Sequence, residues 1–223
     1  MQGIFLGTGT SHGIPVIGCK CPVCQSSDPR NIRTRCSVYV KTEDADIIID
    51  MPPEFRIQMI RENLSSADAI LITHTHADHL HGLDDIRPIS CNKPVPVYSS
   101  TNIIGIIRKR FDYIFNVTQI GGGKPHIQLN PVEEKFAIDT RSGRKLWITP
   151  VPMLHGKLET FGYRIGKFAY LTDCSYIPKS SYKLIEGVDV AVIDALRYRE
   201  HPTHFNIEKA LEAAKRIGAK RTY

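Results

Sequence analysis

Ala69-Ile-Leu-Ile-Thr-His-Thr-His-Ala-Asp-His-Leu-His-Gly82 is the stretch on which the fold turns. A short apolar run leads into His74, His76, Asp78, His79 and His81, all within eight residues. Alternation along a strand places His74 and His76 on the same side of the strand end. Asp78 and His79 follow where the chain has to turn into a helix. Imidazole and carboxylate side chains together suit zinc, manganese or iron. So dense a set of polar groups would be costly to bury unpaired, and a metal is the natural compensation. The alternative is a solvated histidine-rich turn, and the apolar strand in front of it argues against that.

Outward from this stretch, β-branched apolar runs recur between turn signals. Ser37–Val40, Asp46–Ile49, Ala69–Ile72, Val95–Tyr98, Lys145–Ile148, Phe161–Ile165, Phe168–Leu171 and Val188–Ile193 read as strands. Pro53–Leu64 opens on proline and sets Phe55, Met59, Ile60 and Leu64 on one helical face. Thr101–Arg110 reads as a second helix. The last helix has Asn206 as its cap, Ile207, Leu211, Ala214 and Ile217 as its stripe and Gly218 as its stop. Ser37–Asp50 and Thr160–Asp173 echo each other as strand, turn, strand, ending in Asp. Two similar halves forming two packed sheets covered by helices, of α/β (α+β) class, is the simplest fold that fits. No Pro/Ser-rich linker divides the chain, so 1–223 reads as a single domain. Asn116–Glu134, with Gly121-Gly122-Gly123, reads as a long mobile loop.

Composition bounds the answer without choosing it. The 223 residues can bury a sizeable core without disulfides. With 42% hydrophobic and 23% charged residues, disordered and collagen-like chains are excluded. No run of about 18 apolar residues suggests a membrane span. The first residues lack a basic segment followed by an apolar core, so a cytoplasmic location is expected. The formal charge of +6 and pI near 9.0 are compatible with phosphate-bearing substrates and select nothing further.

The run H-x-H-x-D-H, His74 to His79, resembles the metallo-β-lactamase superfamily. The resemblance implies a four-layer αββα sandwich and two divalent metals at the active site, Zn or Mn foremost. Further ligands are expected downstream, and His155, ending Trp147-Ile-Thr-Pro-Val-Pro-Met-Leu-His155, and Asp173, ending Phe168-Ala-Tyr-Leu-Thr-Asp173, stand where the family places them. By the resemblance, His74, His76 and His155 hold one metal, Asp78 and His79 hold the second, and Asp173 bridges. Asp50, after Ile47-Ile-Ile, matches an aspartate that orients a ligand histidine from behind. The family's last ligand histidine would follow the strand that begins near Thr222-Tyr223, and no histidine follows His204. The domain therefore reads as lacking its final C-terminal strand and ligand segment.

Cys19-Lys-Cys-Pro-Val-Cys24 sets three thiols in six residues. Without a secretion signal, that spacing favours metal over disulfides. A closed zinc site needs a fourth ligand, for which His12 and Cys36 are conceivable. Cys36, Cys91 and Cys174 are scattered and read as small core residues. Gly7-Thr-Gly-Thr-Ser-His-Gly-Ile-Pro15 followed by C-x-C-x-x-C, with Gly82-Leu-Asp-Asp-Ile-Arg-Pro88 after the histidines, looks like the PhnP-type phosphodiesterase branch. In that branch the three cysteines help to hold a structural zinc.

Hydrolysis also needs a proton for the leaving group. Glu200-His-Pro-Thr-His-Phe-Asn206 supplies His204, favoured for its place before the capping Asn206, and His201. Arg197 and Arg199 are candidate phosphate clamps, with a surface-cation reading equally open. Ser11 and His12 in the first Gly-rich loop are candidate substrate contacts, although that loop lacks the G-x-x-x-x-G-K pattern. His81 reads as structural, and His126 as a residue of the mobile loop.

The reading that follows is a metal-dependent phosphodiesterase for small cyclic or nucleotide-like substrates. A transfer-RNA 3′ endonuclease of the same superfamily comes second, because Arg108-Lys-Arg110 and Lys124 do not form a long basic arm for RNA. A zinc-stabilised binding module without catalysis is the third reading. Homodimerisation and the absence of a membrane partner complete the expectations.

Overall fold

Ile47, Ile48 and Ile49 are all fully buried, as a strand apolar at every position requires. They belong to the first of two compact units, Met1–Pro131 and Val132–Tyr223, into which the chain divides. The computed structural model describes residues 1–116 and 123–223. Gly121 and Gly122 of the expected loop lie outside the described residues.

The first unit is built on strands β1 (Gln2–Gly7), β2 (Ser37–Lys41), β3 (Asp46–Ile49), β4 (Ala69–Leu71), β5 (Val95–Ser99) and β6 (Ile127–Pro131), which lie in that spatial order. β1–β2 and β2–β3 pair antiparallel, whereas β3–β4, β4–β5 and β5–β6 are parallel. Helices α1 (Phe55–Arg61), α2 (Ala77–Leu80), α3 (Thr101–Arg110) and α4 (Asp112–Phe115) connect them. Phe55, Met59, Leu80, Ile103 and Ile107 bury the helices against Tyr39, Ile48, Ile70 and Val97 of the sheet. Ser100 caps α3, its Oγ accepting the Ile103 N–H at 3.3 Å.

The second unit has β7 (Phe136–Asp139), β8 (Lys145–His155), β9 (Leu158–Ile165), β10 (Phe168–Leu171), β11 (Val190–Ile193) and β12 (Arg221–Thr222), again in spatial order. β7 to β10 pair antiparallel, and β10–β11 and β11–β12 are parallel. Helix α5 (Lys179–Leu184) crosses between β10 and β11, and α6 (Ile207–Ile217) between β11 and β12. Asn206 caps α6 by accepting the Lys209 N–H, and Gly218 ends it at φ 67°.

The echo between Ser37–Asp50 and Thr160–Asp173 is an architectural repeat. β2–β3 and β9–β10 are both antiparallel hairpins whose second strand then pairs in parallel with the next strand along the chain. Both hairpins end on an aspartate at positive φ, 63° for Asp50 and 48° for Asp173. Asp tolerates this region better than most side chains, and residues held in it cluster at functional sites.

Four expectations need correction. The buried face of α6 is Ala210, Ala213 and Ile217, while Leu211 is 57% exposed. On α1, Gln58 replaces Ile60 in the interior, its amide donating to Thr34 Oγ1 and the Arg35 carbonyl. In α6, Ala210 and Ala213 take the places expected for Leu211 and Ala214 while Ile217 stays, and in α1 Phe55 and Met59 stay while a hydroxyl and a backbone carbonyl hold the Gln58 amide inside. Asn116–Glu134 is not one loop, since Ile127–Pro131 pairs along β5 as β6. β1, β6 and β7 carry no clear strand pattern in the sequence: the apolar runs of β1 and β7 are only three residues long, and that of β6 is interrupted by Gln128 and Asn130. The strand expected to begin near Thr222 does begin, as β12 beside β11.

Candidate metal centre

In the first unit the decisive strand end is β4 and the residues after it. Asp50 N–H donates to the Leu71 carbonyl, which sets the aspartate beside the turn. Its carboxylate then takes three hydrogen bonds. Oδ1 accepts the Thr73 N–H at 2.8 Å, and Oδ2 accepts the Thr73 hydroxyl at 2.8 Å and His79 Nδ1–H at 2.7 Å. Burial pushes the Asp50 carboxyl up, and His79 with the two Thr73 donors pulls it back. Thr73 Oγ1 also lies 3.0 Å from His74 Nδ1. His74 Nε2 and His76 Nδ1 converge to 3.0 Å, and the His74 and His79 rings are centred 4.3 Å apart. Asp78 Oδ2 is 3.6 Å from His79 Nε2.

The backbone straps this cluster to the end of β3. Met51 N–H donates to the His79 carbonyl, and Gly82 N–H donates to that of Met51, both at 2.8 Å. A Cβ on Gly82 would stand 2.1 Å from the Pro52 carbonyl oxygen, so glycine is required there. His81 faces away from this work, exposed and edge-on to Phe111.

In the second unit His155 closes β8 and Asp173 follows β10. His155 Nδ1–H donates to the Thr203 carbonyl at 2.7 Å, and its ring is centred 4.6 Å from that of His204. Thr172 Oγ1–H donates to Asp173 Oδ1 at 3.0 Å. His204 Nε2 lies 4.0 Å from Asp173 Oδ2, and His204 Nδ1 lies 2.8 Å from Asp194 Oδ2. His155, Asp173 and His204 thus offer ligand atoms within 4.8 Å of one another. Asp194 also accepts the Cys174 N–H at 3.1 Å. Burial pushes the Asp194 carboxyl up, a pull that His204 opposes and Asp173 reinforces. The Cys174 thiol is pushed well above its ordinary value by burial and then by Asp194 and Asp173, which fits a core residue.

The donor chemistry fits divalent metals. His79, His155 and His204 each have Nδ1 against an oxygen acceptor: Asp50, the Thr203 carbonyl and Asp194. An imidazole whose Nδ1–H is engaged in this way carries its lone pair on Nε2, the usual preparation of a metal-ligand histidine. Imidazole and carboxylate together suit Zn²⁺ and Mn²⁺.

The remaining candidates separate by environment. Cys19, Cys21 and Cys24 bring their sulfurs within 4.8 Å of one another. Hydrogen bonds from the Cys24 N–H and the neighbouring thiols lower Cys21 to about 7. Among the described residues neither proposed fourth ligand joins them. The Cys36 thiol donates to the Gly9 carbonyl at 3.2 Å, and His12 is exposed in the adjoining turn. Ser11 is held by its backbone, its carbonyl accepting Arg35 Nε–H at 2.7 Å. Arg197 braces its own loop, donating to the carbonyls of Arg199 and Glu200. His201 stands 5.1 Å from His204, ring centre to ring centre, with Thr203 Oγ1 at 3.1 Å. Partial burial, then His204 and Arg197, lower the His201 imidazole. His126 donates its N–H to Ser90 Oγ and leads directly into β6.

Sequence reasoning missed Asp194 and Thr73. A signal for Asp194 existed, since it closes Val190-Ala-Val-Ile193 as Asp50 closes Ile47-Ile-Ile49. Thr73 carries no signal of its own beyond standing before His74.

Residues 46–223 match the β-lactamase superfamily domain. The chain belongs to the metallo-β-lactamase superfamily. Within it, a solved diphosphatase from the PhnP family is 40% identical, with a TM-score of 0.88 over 99% of this chain and 84% of that one. This places the chain in the PhnP-like branch of the superfamily. An octanoyltransferase of Porphyromonas gingivalis is 38% identical over 98% of this chain, which spans only 44% of that relative's length. The human short-form tRNase Z structure shares the fold at 18% identity and a TM-score of 0.68, covering 100% of this chain and 93% of that one. Beside that membership, the chain carries His and Asp side chains of metal-ligand type in each unit.

Proposed function

We propose that the chain hydrolyses a phosphodiester or diphosphate linkage in a small nucleotide-like substrate, with two divalent metals at the active site. The reading is carried by one observation, the ligand-type histidines His79 and His155, whose Nδ1 atoms are already engaged by oxygen acceptors. The 40% identity to a PhnP-family diphosphatase over nearly the whole chain supports phosphorus chemistry. The name of the octanoyltransferase is not carried over, because this chain corresponds to 44% of it.

His74, His76 and His155 would hold one metal, Asp78 and His79 the second, and Asp173 would bridge. When bound, such metals lower the pKa of a coordinated water toward about 7 and polarise phosphoryl oxygens. The side chains supply the rest. The oxygen of a water that has given one proton to solvent forms a bond to phosphorus while the bond to the leaving oxygen breaks. In its imidazolium form His204 would give that oxygen its proton from Nε2, while its Nδ1–H stays on the Asp194 carboxylate. His201, one ring farther out, is the lesser candidate for this role. Cys19, Cys21 and Cys24 would hold a structural zinc apart from the reaction.

The test is hydrolysis of bis(p-nitrophenyl) phosphate and of a dinucleoside diphosphate with added Mn²⁺ or Zn²⁺, beside an Asp78→Ala variant. Turnover in the native protein and background rates in the variant are expected. Equal rates in both would sink the catalytic assignment in favour of a binding module. A steep fall of RNA affinity with salt would favour the endonuclease reading instead.

A further inference from the structure

The buried carboxylate of Asp50 reaches more than one of the motif's histidines. It accepts His79 Nδ1–H directly, and it also accepts the Thr73 hydroxyl, which in turn stands 3.0 Å from His74 Nδ1. A hydroxyl has one proton to give. Aimed at the acceptor-only carboxylate, that proton leaves the Thr73 lone pairs to receive the His74 Nδ1–H. This fixes His74 in the tautomer whose lone pair is on Nε2, the atom that converges with His76 Nδ1 at 3.0 Å. The Thr73 N–H on Asp50 Oδ1 holds the threonine in register, and Thr73, His74 and Asp50 are all fully buried, so water does not compete.

We infer that Thr73 is a positioning residue, a hydroxyl relay through which Asp50 sets the ligand tautomer of His74 while gripping His79 itself. One carboxylate thereby orients a ligand histidine of each metal. The inference rests on the ligand assignment proposed above, in which His74 and His79 serve different metals.

The test compares Thr73→Val, which keeps the shape and removes the hydroxyl, with Thr73→Ser, which keeps the hydroxyl. In metal-free ¹⁵N-histidine-labelled protein, long-range proton–nitrogen spectra should show His74 protonated at Nδ1 in the native protein and in Thr73→Ser. Thr73→Val should lose that preference. Zinc titration against a chromophoric chelator should show one histidine site weakened about 10- to 100-fold in Thr73→Val, with the other unchanged and Thr73→Ser close to native. Native zinc affinity in Thr73→Val, or a His74 protonated at Nε2 in the native protein, would overturn the inference. If the native protein bound no zinc at its histidines, the functional proposal would fall while the tautomer spectra still decided the role of Thr73. A circular dichroism melt of both variants separates misfolding from loss of the relay.

Discussion

The two hairpins that end in aspartate share a local conformation and divide the work differently. Asp50 is fully buried, turned onto Thr73 and His79, and serves as support. Asp173, at the corresponding place and also at positive φ, keeps 8% exposure and sits with His155 and His204 as a ligand-type group. In the second unit the supporting role passes to Asp194, one strand farther along, which grips His204 and the Cys174 N–H. The difference follows from where the histidines lie. In the first unit they follow β4, immediately beyond the neighbour of Asp50. In the second they come from the β8 end and from the loop after β11, so Asp173 faces them and Asp194 backs them. Similar backbone geometry therefore does not fix a chemical role, and the neighbouring strand end does.

The comparison can be broken most severely at the aspartates themselves. Asp173→Ala should reduce hydrolysis to background and lower the metal content measured by plasma emission, as loss of a ligand requires. Full metal content and activity would make Asp173 a mere turn former. His204→Ala should slow hydrolysis of an alkyl-leaving-group diester by roughly 10²- to 10⁴-fold at unchanged metal content. With a p-nitrophenolate leaving group, which departs without a proton, the loss should be much smaller. An equal loss with both substrates would assign His204 to another task.

Asp194→Asn should cost about 10- to 100-fold in activity, in line with loss of a group that orients a functional histidine, without removing metal. A near-native rate would dissolve the parallel with Asp50. Cys21→Ser should remove about one zinc equivalent and lower the melting temperature while leaving turnover largely intact, because its sulfur belongs to a separate cluster. The smallest effect tests the α6 face. Leu211→Ala should change stability by no more than about 0.5 kcal/mol, whereas Ala213→Leu, in the core, should cost about 1–3 kcal/mol in urea unfolding. The reverse order would restore the stripe expected from periodicity.

Much of the site was legible because its signals are local. His74 to His79 sit in one short run, Asp50 and Asp173 each end an apolar strand, and three cysteines fall within six residues. The α3 bounds and the Asn206 and Gly218 stops of α6 were readable for the same reason, since caps are chemistry of single residues. What stayed hidden depends on neighbours distant in sequence. β6 lacks a clean alternation and exists by pairing with β5. Gln58 is interior because carbonyl and hydroxyl partners on the far side of the chain accept its amide. The Leu211 position is apolar by composition and exposed by packing.

By itself, then, the sequence determined the residue types able to hold metal, the strands that carry them and the superfamily whose motif they match. Only the tertiary structure decided which aspartate supports and which one faces the histidines, and that Thr73 and Asp194 belong to the site at all. The physical reason is that ligand identity is written in side-chain chemistry. Orientation comes from hydrogen bonds between strand ends, and Asp50 and Thr73, 23 positions apart in the chain, come within 2.8 Å only when β3 and β4 pair.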